Sequence, residues 1–242
     1  MARHVLLKVD STMNEAARLA PGLSGPAWIF AHEQTAARGR RGRDWRAPAG
    51  NFSATLVLRP REGLAQAALY SFVAALALEA ALAHVGGPHA RLSIKWPNDV
   101  LLNGGKIAGI LLESLALPRG AHALAIGIGV NLAAAPPRDA LEPEALPAVS
   151  LAGETGLSVE PVEFLPMLAQ AFAHYDRQFQ DYGFDPIRNA WLARAARLGE
   201  EITARTGHET HRGTFETIDA TGALILTGPH GRRAISAADI FF

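Results

Sequence analysis

The chain has 242 residues, with 23 Lys+Arg against 23 Asp+Glu, 49% hydrophobic residues and no cysteine. That length suits one domain of ordinary size plus a small module, and zero net charge argues against a dedicated nucleic-acid binder or a polybasic membrane protein, though not against a local basic patch. Without cysteine there is no disulfide framework, thiolate metal site or cysteine nucleophile, which fits a reducing compartment.

Residues 5–9 read as a short apolar strand directly after Met-Ala-Arg-His, without the apolar stretch and cleavage site of a signal peptide. Asp10-Ser11-Thr12 then opens a helix, with Glu15 three residues after Thr12 in a capping-box pattern. Residues 27–30 form a compact apolar strand, followed by a polar, Arg- and Gly-rich segment over 34–50. Residues 52–58 read as a strand closed by Arg59-Pro60. The longest apolar stretch, 64–85, carries Gln66, Glu79 and His84 and repeats Ala and Leu at helical spacing, so it reads as a buried helix rather than a membrane span. A soluble, cytoplasmic protein is expected.

Two β runs follow at 92–96 and 100–102, and the turn Asn103-Gly104-Gly105 joins the second to 107–112, a strong hairpin signal. Residues 123–132 form a further strand with Gly127 and Gly129 inside it, where glycine marks a bulge or a close approach. Residues 133–148, rich in Pro and Ala, read as a surface loop, and helices are expected over 161–182 and 186–198. From Glu200 onward short β runs are separated by Thr206-Gly207, Thr221-Gly222 and Pro229-His230-Gly231, which predicts a small antiparallel barrel or meander.

Three segments carry chemistry. The first is residues 38–46, where five Arg and one Asp give a local charge of +4 in a chain whose total is zero. Glycines among the arginines let backbone N–H groups approach an anion while guanidinium forks take phosphate oxygens bidentately. A solvated basic loop or a nucleic-acid phosphate patch would have the same composition. Like-charge repulsion predicts a loop that is mobile until an anion neutralises it. The second segment is Lys95-Trp96-Pro97-Asn98-Asp99 with Lys106-Ile107-Ala108-Gly109. The chain has 20 Arg but only three Lys, and two of the three lie here. A compact ammonium can sit on a single oxygen, so this choice points to a point-charge role, the alternative being lysines that snorkel from a strand edge. Asn98 and Asp99 are placed as oxygen ligands for a hard cation such as Mg²⁺, unless they form a simple Asx turn. The third is Gly127-Ile128-Gly129-Val130-Asn131, a flat strand against which a ring could lie with an amide to read its edge; a glycine-containing core strand explains it equally. It is not a dinucleotide fingerprint.

Together and in this order, these segments resemble biotin–protein ligases, with Asp10-Ser11-Thr12, Gln34, the Arg-Gly-Arg-Arg-Gly-Arg-Asp-Trp string of 38–45, Lys95-Trp96-Pro97-Asn98-Asp99, Lys106-Ile107-Ala108-Gly109-Ile110-Leu111 and Gly127-Ile128-Gly129-Val130-Asn131 carrying the match. Ala37 departs from the glycine that usually opens the Arg loop. The resemblance implies an α+β fold: a mixed β-sheet packed with helices, like a class II synthetase catalytic domain, over 1–197, then an SH3-like β-barrel over 198–242. It implies activation of biotin by ATP to biotinyl-5′-adenylate, with Mg²⁺, and transfer to a lysine of a biotin carboxyl carrier protein of acetyl-CoA carboxylase or a related carboxylase.

On that resemblance, Lys106, Arg40 and Arg41 are the catalytic candidates. Ser11, Thr12, Gln34, Arg38, Gly39, Lys106 and Gly109 would bind biotin. Arg38, Arg40, Arg41, Arg43, Trp45 and Asn131 would bind the adenylate, and Asp99 the metal. No DNA or membrane partner is expected, since the first strand leaves no room for the helix-turn-helix domain of some relatives. A homodimer through an exposed sheet edge would be in keeping with relatives. The rival readings are a lipoate or octanoate ligase of the same fold and, from another class, a nucleic-acid-binding module.

Overall fold

The computed structural model describes residues 1–61, 63–140, 145–207, 209–229 and 231–242. The expected turn residue His230 and part of the expected loop 133–148 lie outside the described residues. Seven strands build the main sheet: β1 (Ala2–Val9), β2 (Ala27–Gln34), β3 (Phe52–Leu58), β4 (Leu92–Lys95), β5 (Asp99–Leu102), β6 (Gly105–Ala116) and β7 (His122–Val130). Their order is β1-β2-β3-β7-β6-β5-β4; β1 runs parallel to β2 and every other pairing is antiparallel. The β5–β6 turn puts Asn103 and Gly104 at φ 51° and 88°, the left-handed conformations that an Asn-Gly turn supplies at low cost.

Side-chain alternation splits the sheet into two faces. Trp28, Phe30, Leu56, Ile126 and Ile128 point to one face, where α2 (Tyr70–Gly86) and α4 (Pro161–Tyr182) pack on them. Ile29, Val57 and Ala125 point to the other, under α1 (Thr12–Leu19). Residues 66–86 have the length and apolar composition of a membrane span, with mean hydropathy 1.7, yet 67% of that window is buried inside the protein. It is the central helix of the core, as the periodicity predicts, though its first turns before Tyr70 are 3₁₀.

Other boundaries differ from the sequence reading. The helix expected over 186–198 is α5 (Phe184–Leu192) and ends early, because Ala195 leaves it to bridge Ile94 at the β4 edge. A short helix, α3 (Leu151–Thr155), capped by the Ser150 hydroxyl, was not legible in the polar sequence around it. The capping frame of α1 is shifted by one residue. Ser11, not Thr12, is the N-cap, its Oγ accepting from Met13 N at 3.2 Å. Glu15 therefore does not close a capping box; its carboxylate takes the Arg18 guanidinium at 2.6 Å.

The C-terminal strands β8 (Glu201–Arg205), β9 (Thr210–Ile218), β10 (Leu224–Gly228), β11 (Gly231–Ile235) and β12 (Asp239–Phe241) form an antiparallel sheet in the order β11-β10-β9-β8-β12. Among the described residues its end strands, β11 and β12, are not hydrogen-bonded to each other, so the expected barrel is not closed. The two parts share one core: Trp191 is fully buried between Phe72 of α2 at 5.4 Å and Phe215 of β9 at 6.4 Å, ring centre to ring centre. Trp96 adds a polar tie, its Nε1 donating to Gly222 O at 3.0 Å. Trp191→Ala should cost about 3–5 kcal/mol of stability, measured by urea unfolding, and should lower the unfolding midpoint of both parts together rather than separate them.

A candidate ligand site under the arginine loop

A cavity of about 410 Å³ opens on the α1 side of the sheet, within the range of sites for drug-sized ligands. Its floor follows from strand alternation. Gly127 and Gly129 of β7 and Gly109 of β6 point away from the core, and Gly109 and Gly129 sit directly opposite each other. With no side chains there, the indole of Trp45 lies on the backbone. A Cβ on Gly129 would stand 2.5 Å from Trp45 Cε2 and Nε1, and one on Gly109 3.3 Å from Trp45 Cζ3. A ring does lie on the flat strand, as the sequence reading allowed, but it is the chain's own. Trp45 Nε1 is buried there without a hydrogen-bond partner among the described residues.

The arginine loop is a small hairpin closed by its own backbone. Gly39 N donates to Arg43 O (2.7 Å) and Trp45 N to Ala37 O (3.0 Å), around a 3₁₀ turn with Arg41 at φ 57°. Four of its five arginines are met by the protein's own acceptors. Arg38 forks onto both oxygens of Glu113, at 3.2 and 2.9 Å, and its third nitrogen donates to Asn14 Oδ1 at 2.5 Å. Arg41 and Arg43 donate to the two oxygens of Asp239, at 2.6 and 3.0 Å, and Arg40 approaches the same carboxylate at 4.0 Å. Arg40 also donates to Asn98 Oδ1 at 3.4 Å. Burial pushes its guanidinium below the usual value, and the carboxylates of Asp239 and Asp99 work against that.

Lys106 and Asp99 form an ion pair at 2.7 Å on neighbouring strands, and the Lys106 ammonium stands 5.7 Å from the Trp45 ring centre. The end of the expected loop and the residue after it fix the lysine's backbone: Lys106 N donates to Pro147 O (2.8 Å) and Val149 N to Lys106 O (3.0 Å). Lys95 also lines the cavity, and burial lowers its pKa, opposed by Asp99 and reinforced by Lys106. Two of the chain's three lysines thus share one cavity.

An uncharged group lies across the sheet, at the β1–β2 side. Thr12 donates to Gln34 Oε1 through both its backbone N–H (2.7 Å) and its hydroxyl (3.1 Å), and the Thr55 hydroxyl donates to Thr12 Oγ1 at 2.9 Å. This turns the Gln34 amide nitrogen away, where no described protein group accepts from it. Ser11, which caps α1, keeps its own O–H free to donate, because a hydroxyl can accept and donate at once.

The structure therefore gathers Ser11, Thr12, Gln34, Arg38, Gly39, Arg40, Arg43, Trp45, Asp99, Lys106, Gly109 and Asn131 around one cavity. Arg41 does not line it and points to Asp239 instead. Asn131 is buried with its amide already engaged, Nδ2 donating to Val149 O (3.1 Å) and Oδ1 accepting from Asn51 (3.4 Å). Part of the expected surface loop is cavity wall: Pro136, Ala145, Leu146 and Ala148 line it, and Asn51 pins its start through Ala133 N and Ala134 N. Sequence reasoning gave no role to Glu113 or Asp239. Glu113 was findable, since 109, 111 and 113 share one face of β6. Asp239 was not, lying 198 residues from Arg41.

Fold and cavity together define a ligase class that family models also recognise. Residues 6–131 match the Biotin/lipoate A/B protein ligase family, and residues 198–242 match the Biotin protein ligase C terminal domain. A Biotin–[acetyl-CoA-carboxylase] ligase of Paracoccus denitrificans is 63% identical over 238 residues, 98% of this chain and 99% of that one. The chain belongs to the biotin/lipoate A/B protein ligase family. Among solved structures, a biotin protein ligase from Aquifex aeolicus in complex with biotin and ATP shares the fold at TM-score 0.83 and 24% identity, covering 99% of this chain and 97% of that one. One from Leishmania major in complex with biotinyl-5-AMP aligns at TM-score 0.68 and 25% identity, over 98% and 99% of the two chains.

Gly129→Ala should leave the fold intact and push Trp45 off the strand, since its Cβ would overlap the indole. The other three tryptophans are buried, so acrylamide quenching of tryptophan fluorescence should rise in this variant with far-ultraviolet dichroism unchanged.

Proposed function

We propose that this chain activates biotin with ATP and transfers the biotinyl group to one lysine of the carboxyl carrier domain of acetyl-CoA carboxylase or a related carboxylase. The observation that carries this reading is the composition of this cavity: uncharged hydrogen-bonding groups at the β1–β2 side, and Lys106 with the arginine loop toward β6 and β5. The 63% identity to a protein named for this activity supports it.

In the first step a carboxylate oxygen of biotin attacks the α-phosphorus and pyrophosphate leaves. The step brings negative charges together, so fixed positive charge at that point lowers the barrier. Lys106 takes this role between carboxylate and α-phosphate, with Arg40 also lining the cavity; Arg41, the other catalytic candidate, faces Asp239 and is given no part in this step. Arg38 and Arg43 hold the adenylate phosphate, Trp45 covers the adenine, and Asn131 stands at the edge of the base. Ser11 and Gln34 offer donors to the ureido group, Thr12 holds Gln34 in place, and the backbones of Gly39 and Gly109 complete the pocket. In the second step the carrier lysine attacks the acyl carbon and AMP leaves. A folded loop that excludes water protects the mixed anhydride from hydrolysis.

Magnesium arrives with ATP as substrate. Among the described residues no group of three His, Asp or Glu could cage a metal. One carboxylate, Asp99, suits a Mg²⁺ that keeps its phosphate oxygens and waters. The catalytic unit is assigned to 1–197 and the C-terminal unit to 198–242. No DNA or membrane partner is assigned: Arg38, Arg41 and Arg43 of the loop are each paired with a carboxylate, Glu113 or Asp239. A cytoplasmic location and a homodimer through a sheet edge belong to the same reading.

Biotin-dependent exchange of pyrophosphate into ATP tests the substrate. Exchange with biotin and none with lipoate or octanoate is expected; the reverse would favour the sister ligases. Lys106→Ala should lower the exchange rate by about 10²–10³, while biotin affinity measured by calorimetry changes far less.

A further inference from the structure

Thr55 of β3 is fully buried under α1, on the strand face that also carries Val57, and does not line the cavity. Its cross-strand neighbours are Ile29 of β2 and Gly127 of β7. A valine has the same shape and would suit such surroundings, so the buried hydroxyl is the feature to explain, because burying it costs free energy unless it is hydrogen-bonded. It donates to Thr12 Oγ1 at 2.9 Å.

That bond matters because of where Thr12 sends its own proton. The Thr12 backbone N–H, which can only donate, lies 2.7 Å from one atom of the Gln34 amide, so that atom is the oxygen. The Thr12 hydroxyl, 3.1 Å from the same oxygen, donates to it as well. A hydroxyl has one proton, so Thr12 Oγ1 can only accept from elsewhere, and Thr55 supplies the donor. A backbone group thus fixes the order Thr55 to Thr12 to Gln34, and each bond polarises the next. The Gln34 amide nitrogen is left outward with two N–H donors, and the Ser11 O–H is free to donate too. This end of the cavity therefore suits an acceptor oxygen and opposes a cation.

We propose that Thr55 is a positioning residue for substrate choice: through Thr12 it holds the Gln34 amide nitrogen outward, so that the site takes a ring bearing a carbonyl oxygen and rejects the same ring bearing a guanidinium. The identity of the ring rests on the biotin reading; the hydroxyl relay does not. Without Thr55 the Thr12 hydroxyl loses the bond that fixes its rotation, and the backbone N–H alone secures Gln34.

Two measurements on the full chain test this. In proton–nitrogen correlation spectra of the free protein, the Gln34 side-chain amide pair, assigned by its loss in Gln34→Glu, should shift and broaden in Thr55→Val and keep its place in Thr55→Ser. In biotin-supported pyrophosphate exchange, Thr55→Val should raise KM for biotin about three- to tenfold, the worth of one net hydrogen bond. The kcat and the KM for ATP should stay unchanged, and Thr55→Ser should behave as wild type. Calorimetric discrimination between biotin and the analogue in which a guanidinium replaces the urea should narrow by a similar factor. Gln34 amide signals unmoved in Thr55→Val, an equal rise in KM for both substrates, unchanged discrimination, or a loss that Thr55→Ser does not restore would overturn the proposal. Amide signals that move as expected, with no biotin-supported exchange in the wild type, would leave the relay standing and sink the biotin reading.

Discussion

A loop with five arginines in nine residues packs against a cavity more readily when acceptors answer its charge, and four of the five have them here. Glu113 and Asn14 take Arg38, Asp239 takes Arg41 and Arg43, and Arg40 shares Asp239 and Asn98. The acceptors come from α1, from β6, from the turn just before β5 and from β12, so closing one short loop draws on both parts of the chain. A solvated basic loop needs no such provision. Built-in acceptors of this reach indicate a loop whose closed form is part of the protein's working state.

The sheet meets the complementary demand for space. Gly109 and Gly129 face each other across β6 and β7 and leave bare backbone where side chains would otherwise stand. Trp45 fills that space and brings its ring within 5.7 Å of the Lys106 ammonium, which is paired with Asp99. On the reverse face, the alternate residues of the same strands are large and fully buried under α2 and α4. One period-2 pattern therefore serves both stability and the site. The shared core at Trp191 and Phe215 gives the C-terminal sheet a fixed placement, without which Asp239 could not meet the loop in register.

The local sequence determined a good deal: strand and helix identity for most elements, the Asn103-Gly104 hairpin, the buried character of 66–86, the composition of the arginine loop and the openness of the glycine strand. These depend on periodicity, turn chemistry and side-chain type, which act over a few residues. Tertiary structure decided what long-range neighbours alone can decide: Ser11 rather than Thr12 as the cap, the ring that lies on Gly129, the part of 133–148 that becomes wall, the open C-terminal sheet, and Asp239 as the arginines' counter-charge. The physical reason is that a charge or a flat surface declares its need in the sequence, whereas the group that meets the need is set by packing, here up to 198 residues away.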